Sequence, residues 1–305
     1  MTAVTSVPII RDARLARRRS SISRERAWAL RWSYFFLVLF AVIFLTPPVY
    51  MVITSLKTSA EISAATNPWW VYNPTLENYV ALLSSAQFLT FFRNSAVVSV
   101  LVVSITMLIS MPAAFALSRM RFWGSATIAT GIFLTYLIPE TLLFIPLFHM
   151  FAVFHEWTGI ELINHWWVLL FVYPTLTVPF CTWVMIGYFA SIPRELDEAA
   201  LIDGANYRQV LTRIFIPVAL PGLIAATIFA FTVSWAQFLY LLAFTTSADQ
   251  LVLSVGIITT LIKGDVFNWG QIMTGALLAA APPLIIYAFL MDYYIAGLTA
   301  GATKG

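Results

Sequence analysis

Lysine, arginine, aspartate and glutamate are absent from long stretches of this 305-residue chain, and those gaps limit its fold more than any motif does. Trp32–Leu56 and Asn94–Ser118 each run 25 residues without a charge. Phe122–Pro139 runs 18, and 15 more follow a lone Glu140; Leu162–Pro193, Ile214–Ala248 and Val266–Met291 run 32, 35 and 26. Hydrocarbon offers the backbone no hydrogen-bond partner, so a spanning segment of roughly 20 apolar residues must satisfy itself as a helix. With 10% charged and 60% hydrophobic residues, too little charge is left to coat a soluble domain, which carries roughly 25%. The expected fold is all-α and polytopic, with six spans near 32–54, 94–116, 126–150, 166–189, 218–243 and 273–295. Gln250–Ile262 is apolar but too short to cross, and reads as an external partial helix or a re-entrant piece.

Basic residues near span ends stay in the cytoplasm. The termini and the second and fourth loops hold fourteen Lys and Arg, among them Arg119, Arg121, Arg194, Arg208, Arg213 and Lys304. The opposite side holds Lys57, Arg93 and Lys263, so both termini are expected inside. Eight arginines against Asp12 and Glu25 make residues 1–31 a basic cytoplasmic segment that fixes topology. The first span is too long for a cleaved signal and lacks a small-residue cleavage site after it. Outside this segment the chain is net negative, which excludes a nucleic-acid groove.

Catalytic chemistry is missing from the sequence. It has no phosphate-binding Gly-x-x-x-x-Gly-Lys-Ser/Thr loop, no Gly-x-Ser-x-Gly and no His-Glu-x-x-His. The single Cys181 excludes a disulfide framework. His149, His155 and His165 stand near Glu156 and Glu161, but their spacing fits no zinc pattern on one helix face, and they read instead as external surface. Seven tryptophans near the expected interfaces (Trp28, Trp32, Trp69, Trp70, Trp157, Trp166 and Trp167) read as membrane anchors.

A charge inside a span is costly and tends to be functional. Glu140 follows Pro139, and Pro139 and Pro146 release backbone groups that need partners beside a cavity. Glu140 is thus expected either to line a solute path or to serve structurally near the outer water interface. Trp235, Gln237, Phe238 and Tyr240 in the fifth span are further candidates for the path. Pro47-Pro48 and Pro282-Pro283 are expected to bend the first and last spans.

The most informative stretch lies between the fourth and fifth spans, over 190–217. Pro193 suits the first helical position. Glu195, Asp197 and Glu198 favour a helix start, and Leu196, Ala199 and Ala200 share a face at i, i+3 and i+4. Gly204 ends this helix, and Asn206 is a good N-cap for the helix leading to Pro217. The result is a small, apolar face flanked by acids, suited to a groove with an apolar floor and a basic rim.

Glu198-Ala199-Ala200, then Gly204, then Ile214-x-Ile216-Pro217 resembles the signature loop of bacterial ABC importer permeases, with Ile216 where the family has Leu. The resemblance extends to the maltose-type sugar branch through Pro74–Tyr79, Asn94-Ser95 and Ala113–Phe122. It also includes the tail Gly297-Leu-Thr-Ala-Gly-Ala-Thr-Lys-Gly305. Trp235-Ala-Gln-Phe238 departs from the family's Trp-Asn-acid-aromatic.

What this resemblance implies is a transport subunit, not an enzyme, in the bacterial inner membrane. Residues 32–296 would form the six-span domain, pairing with a homologous permease as a heterodimer. Two ATP-binding cassette subunits would bind ATP and Mg, leaving no cofactor in this chain, and an extracytoplasmic binding protein would deliver a sugar-like solute. The helix at 193–207 would be the coupling helix. Glu198 would meet a basic residue of the ATPase, Ala199 and Ala200 would permit close approach, and Asp203, Gly204 and Pro217 would complete the loop. The tail 297–305, with Gly297, Gly301 and Lys304, would reach the ATPase dimer. Glycerol 3-phosphate is an alternative solute. A self-contained secondary transporter is the competing class, and it would need inverted repeats and a paired acid–base relay.

Overall fold

Helices occupy the charge-poor stretches. A computed structural model describes residues 9–302 apart from 68, 121, 264 and 265, and side chains over 26–291 apart from 68, 121 and 263–266. In chain order the helices are α1 (Ile9–Ser55), α2 (Ser59–Ser63), α3 (Glu77–Leu83), α4 (Ala86–Arg119), α5 (Ser125–Tyr136) and α6 (Glu140–Thr158). They continue as α7 (Leu169–Ala190), α8 (Arg194–Ile202), α9 (Tyr207–Val210), α10 (Ile216–Val218) and α11 (Leu220–Ala236). The last are α12 (Leu239–Phe244), α13 (Leu253–Leu261) and α14 (Trp269–Ala302). Ile262-Lys263 pairs antiparallel with Val266-Phe267 as a short ribbon between α13 and α14.

Among the described residues, four helices are long and apolar enough to cross a membrane: Arg26–Ser55, Ala86–Arg119, Trp166–Ala190 and Trp269–Met291. Two bent pairs raise this to six if each counts as one span: α5 with α6, bent by 98°, and Tyr207–Val218 with α11, bent by 83°. The third expected span is therefore not straight. Pro139 cannot donate an amide hydrogen and disfavours helix in the residue before it, so α5 closes at Tyr136 and α6 opens at Glu140. The fifth expected span also divides, because Gln237 is extended between α11 and α12. The proline pairs behave differently: α1 runs through Pro47-Pro48 and α14 through Pro282-Pro283 without a break.

The packed centre is the group α4, α7 and α11, and it holds two apolar clusters. One contains Phe91, Val98, Val102, Tyr173, Trp235, Tyr240 and Phe244. The other contains Met107, Phe115, Cys181, Met185, Phe189, Val210 and Phe215, directly against the 190–217 loop. Between them the Thr106 and Thr177 hydroxyls lie 2.6 Å apart, and the Ser110 hydroxyl donates to the Val178 carbonyl at 3.3 Å. Small hydroxyl residues let helices approach closely in lipid, where no hydrophobic force drives them together. Gly222 of α11 serves the same end, since a Cβ there would fall within the Tyr188 ring of α7.

Within Gln250–Ile262 a short helix, α13, forms over Leu253–Leu261, and the segment is well anchored. The α4 side chains Asn94 and Ser95, both buried, hold it. Asn94 Nδ2 donates to the carbonyls of Asp249 and Leu251 at 3.0 Å each, and Leu253 N donates to Ser95 Oγ at 2.7 Å. These two residues were expected to open the second span, but α4 begins at Ala86, capped by Ser85. Asn164, with φ 64°, fastens 246–247 by accepting from the amides of Thr246 and Ser247 at 2.9 and 2.8 Å.

Candidate functional site

The 190–217 loop folds as a helical hairpin with a defined turn. Pro193 is the N-cap of α8, one residue outside the expected first helical position. At the other end Gly204 adopts φ 88°, a left-handed conformation that costs residues with a Cβ roughly 1–2 kcal/mol. Its amide donates to the Leu201 carbonyl at 3.1 Å, and the Ala205 amide to that of Ala200 at 2.9 Å. The two bonds satisfy two of the orphan carbonyls of the last turn. Asn206 then caps α9, accepting from Gln209 N at 2.9 Å while Gln209 Oε1 accepts from Asn206 N at 2.9 Å. This reciprocal box, whose Gln209 half the sequence reading missed, fixes the exit angle. A π-helical stretch over Leu211–Phe215 and α10, containing Pro217, lead to the elbow at Ala219.

The hairpin has two faces. Ala200 and Ala205 turn inward onto the cluster around Phe115, Phe189 and Phe215. Glu195, Glu198, Ala199, Asp203 and Gly204 are exposed, and so is Ile202 at 86%. Leu196, expected to share a face with both alanines, is itself exposed. The outer face thus carries acids together with exposed Leu196, Ala199, Leu201 and Ile202, whereas Ala200 belongs to the seat beneath it.

Arg119 holds that seat. The side chain of this last residue of α4 is 4% exposed, and its Nη1 lies 3.5 Å from Oδ1 of Asp197 in α8, whose side chain is 17% exposed. Its Nη2 donates to the carbonyls of Phe189, at 2.6 Å, and Ile192, and its guanidinium lies 4.8 Å from the Phe215 ring centroid. One side chain therefore joins α4, the end of α7, α8 and the π-helical stretch. The sequence reading had given Arg119 only a topological role. Nothing in the spacing marks it, because its partners are remote in sequence.

The candidates for a path separate in space. Gln237 Nε2 donates to Glu140 Oε2 at 2.8 Å, and Tyr240 OH donates to the Glu140 carbonyl at 3.0 Å. The break between α5 and α6 is thereby joined to the break between α11 and α12. Gln237 Oε1 also accepts from the amides of Phe238 and Leu239, at 2.8 and 3.1 Å, and so caps α12. Glu140 lines a cavity of about 330 Å³ with Thr135, Tyr136, Thr175, Phe229 and Val233 among its walls. A second cavity of about 550 Å³ shares Phe229 and Val233 and runs past Thr232 and Tyr287 to Tyr188 and Met291. Trp235 lines neither. It is buried between Phe92 and Phe231, with its indole N–H on the Ala279 carbonyl at 2.9 Å. Phe238 lines neither cavity and is partly exposed. The tail residues Gly297, Gly301 and Lys304, and most of the arginine-rich segment, lie outside the described side chains.

Residues 105–299 match the family described as binding-protein-dependent transport system inner membrane component. The chain is 34% identical over 262 residues to the sulfoquinovosyl glycerol transport system permease protein SmoH of Agrobacterium fabrum, covering 86% of this chain and 89% of that one. It is 33% identical over 271 residues to the trehalose/maltose transport system permease protein MalG of Thermococcus litoralis, covering 88% and 94%. Among solved structures, a bacterial ABC transporter involved in the import of the acidic polysaccharide alginate shares its fold. The TM-score is 0.74 at 20% identity, covering 95% of this chain and 100% of that one.

Proposed function

This chain belongs to the family of binding-protein-dependent transport system inner membrane components, and from that premise we propose that it couples ATP use to solute passage through the outer face of α8. It is a multi-pass inner-membrane permease subunit of the carbohydrate branch of ABC importers, and ATP hydrolysis belongs to a separate subunit. Relatives named for trehalose/maltose, diacetylchitobiose, maltodextrin and sulfoquinovosyl glycerol support a sugar or sugar derivative as the solute.

The observation that carries the coupling assignment is the two-faced hairpin: acidic and apolar outward, pinned inward by Arg119. In this reading two ATPase subunits hold ATP and Mg, and one of them receives α8 in a cleft with a basic rim. A basic residue there meets Glu198, Ala199 admits close approach, and Gly204 with Asp203 shapes the turn. Closure of the ATPases pushes α8, and Arg119 carries the push into α4 and α7. A homologous permease completes the pathway, the tail at 297–305 reaches the ATPase pair, and an external binding protein delivers the solute.

Charge reversal at the outer face tests this. In the assembled importer, Glu198→Lys is expected to abolish retention of the ATPase on affinity purification and to lower uptake at least about tenfold, as loss of a desolvated charge pair would. Insertion of the chain into the membrane should be unchanged. Full uptake by the variant would refute the assignment, and transport by the purified chain on an ion gradient alone would favour a secondary transporter.

A further inference from the structure

We infer that Glu140 sets the charge class of the solute, so that this half of the pathway passes neutral polyhydroxy compounds and turns back anionic ones. The inference rests on the importer reading above. Glu140 combines three properties. It is the first residue of α6, where the helix dipole favours a negative charge. It lines a cavity of about 330 Å³, and its carboxylate lies at the junction of two helix breaks. Its side-chain partner is the neutral Gln237 amide, and it forms no ion pair with any described residue.

The surroundings reinforce the sign. No lining residue of this cavity is cationic, and none is in the adjoining 550 Å³ cavity, so Glu140 is the one charged residue bordering either among the described residues. The other polar walls are Thr135, Tyr136 and Thr175, with the C-terminal, negative pole of α5 beside them. The Thr135 and Thr175 hydroxyls donate to the carbonyls of Ile132 and Val172 and so offer a ligand lone pairs, to which sugar hydroxyls can donate and an ionised carboxylate or sulfonate cannot. At an effective dielectric constant of about 20, a second unit negative charge at ~4 Å from the carboxylate loses roughly a thousandfold in occupancy. Screening by water in an open pathway lowers this, and roughly a hundredfold discrimination is expected. Gln237 donates to the carboxylate while its own Oε1 accepts from the amides of Phe238 and Leu239, so the charge has a fixed partner.

The test uses the complete importer, with its own binding protein, in proteoliposomes. The probes are maltose, trehalose and N,N′-diacetylchitobiose as neutral solutes, and their singly C6-oxidised uronates and glycerol 3-phosphate as anions. Uptake is normalised to the measured occupancy of the binding protein. Wild type should take up at least one neutral probe and discriminate roughly a hundredfold against its uronate. Glu140→Gln should bring the two within about tenfold, and Glu140→Asp should keep the wild-type ratio. Gln237→Lys, which neutralises the carboxylate without removing it, should relax the ratio as well and guards against a Glu140→Gln protein that fails to assemble. Equal or preferred anion uptake by wild type would overturn the inference, as would a ratio unmoved by both neutralising variants. Uptake of no probe at all would count against the sugar-importer reading itself.

Discussion

At the residue scale the decisive group is Arg119. The Arg119 guanidinium is bonded to two carbonyls and lies against a carboxylate and a ring, so truncating it strips Asp197 of its cation and two carbonyls of their donor, a loss of up to roughly 3 kcal/mol. Arg119→Lys keeps the charge but not the planar fork that reaches Phe189, Ile192 and Asp197 together. The assembled importer carrying Arg119→Lys or Asp197→Asn is therefore expected to hydrolyse ATP while moving several-fold less solute per ATP, with a lowered thermal midpoint. A purely structural role would lower the midpoint of Arg119→Lys and leave solute per ATP at the wild-type value. The sequence displayed the acids of α8 and the turn at Gly204 because those depend on neighbours within a few residues. Arg119 was invisible there as an anchor, since a cation at a cytoplasmic span end satisfies the topology rule whatever it touches.

At the element scale, what the sequence concealed is where helices stop. Charge-free length located every long helix, yet it could not separate prolines that break from prolines that are absorbed. Pro139 stands at a 98° bend, where Gln237 meets the Glu140 carboxylate and Tyr240 the Glu140 carbonyl, whereas Pro47-Pro48 lie within a continuous α1. Glu140 and Gln237 were both flagged, but their pairing depends on two breaks meeting, which no local pattern encodes. The contact of α7 with α11 depends on a glycine in the same way. Gly222→Ala would drive a methyl group into Tyr188, and overpacking of this kind costs typically about 1–3 kcal/mol. The expected result is a lowered thermal midpoint for Gly222→Ala, and a much smaller further drop when the same change is made in a Tyr188→Ala background. An equal drop in both backgrounds would place the strain elsewhere.

At the scale of the whole molecule, the helices form one frame with a mechanical end and a pathway end, and the frame makes a directional prediction. The cluster around Phe115, Phe189 and Phe215 backs the α8 hairpin, while the cluster around Phe91, Tyr173 and Phe244 backs the junction at Glu140 and Gln237. α4 and α7 run through both, so a displacement of α8 must reach the junction through packed side chains, not through flexible chain. If charge asymmetry orients the frame as expected, Ile202 faces the cytoplasm and Trp157, 85% exposed just before the end of α6, faces outward. The single native cysteine is buried, so Cys181→Ala provides a background with no reactive thiol. In that background, a membrane-impermeant maleimide should label Ile202→Cys in inside-out vesicles only and Trp157→Cys in right-side-out vesicles only. Adding the ATPase subunits should then protect Ile202→Cys and leave Trp157→Cys reactive. Labelling of both positions from one side would overturn the topology, because an even number of crossings separates residues on the same face. Correct sidedness without protection would keep the topology and remove α8 from the ATPase interface.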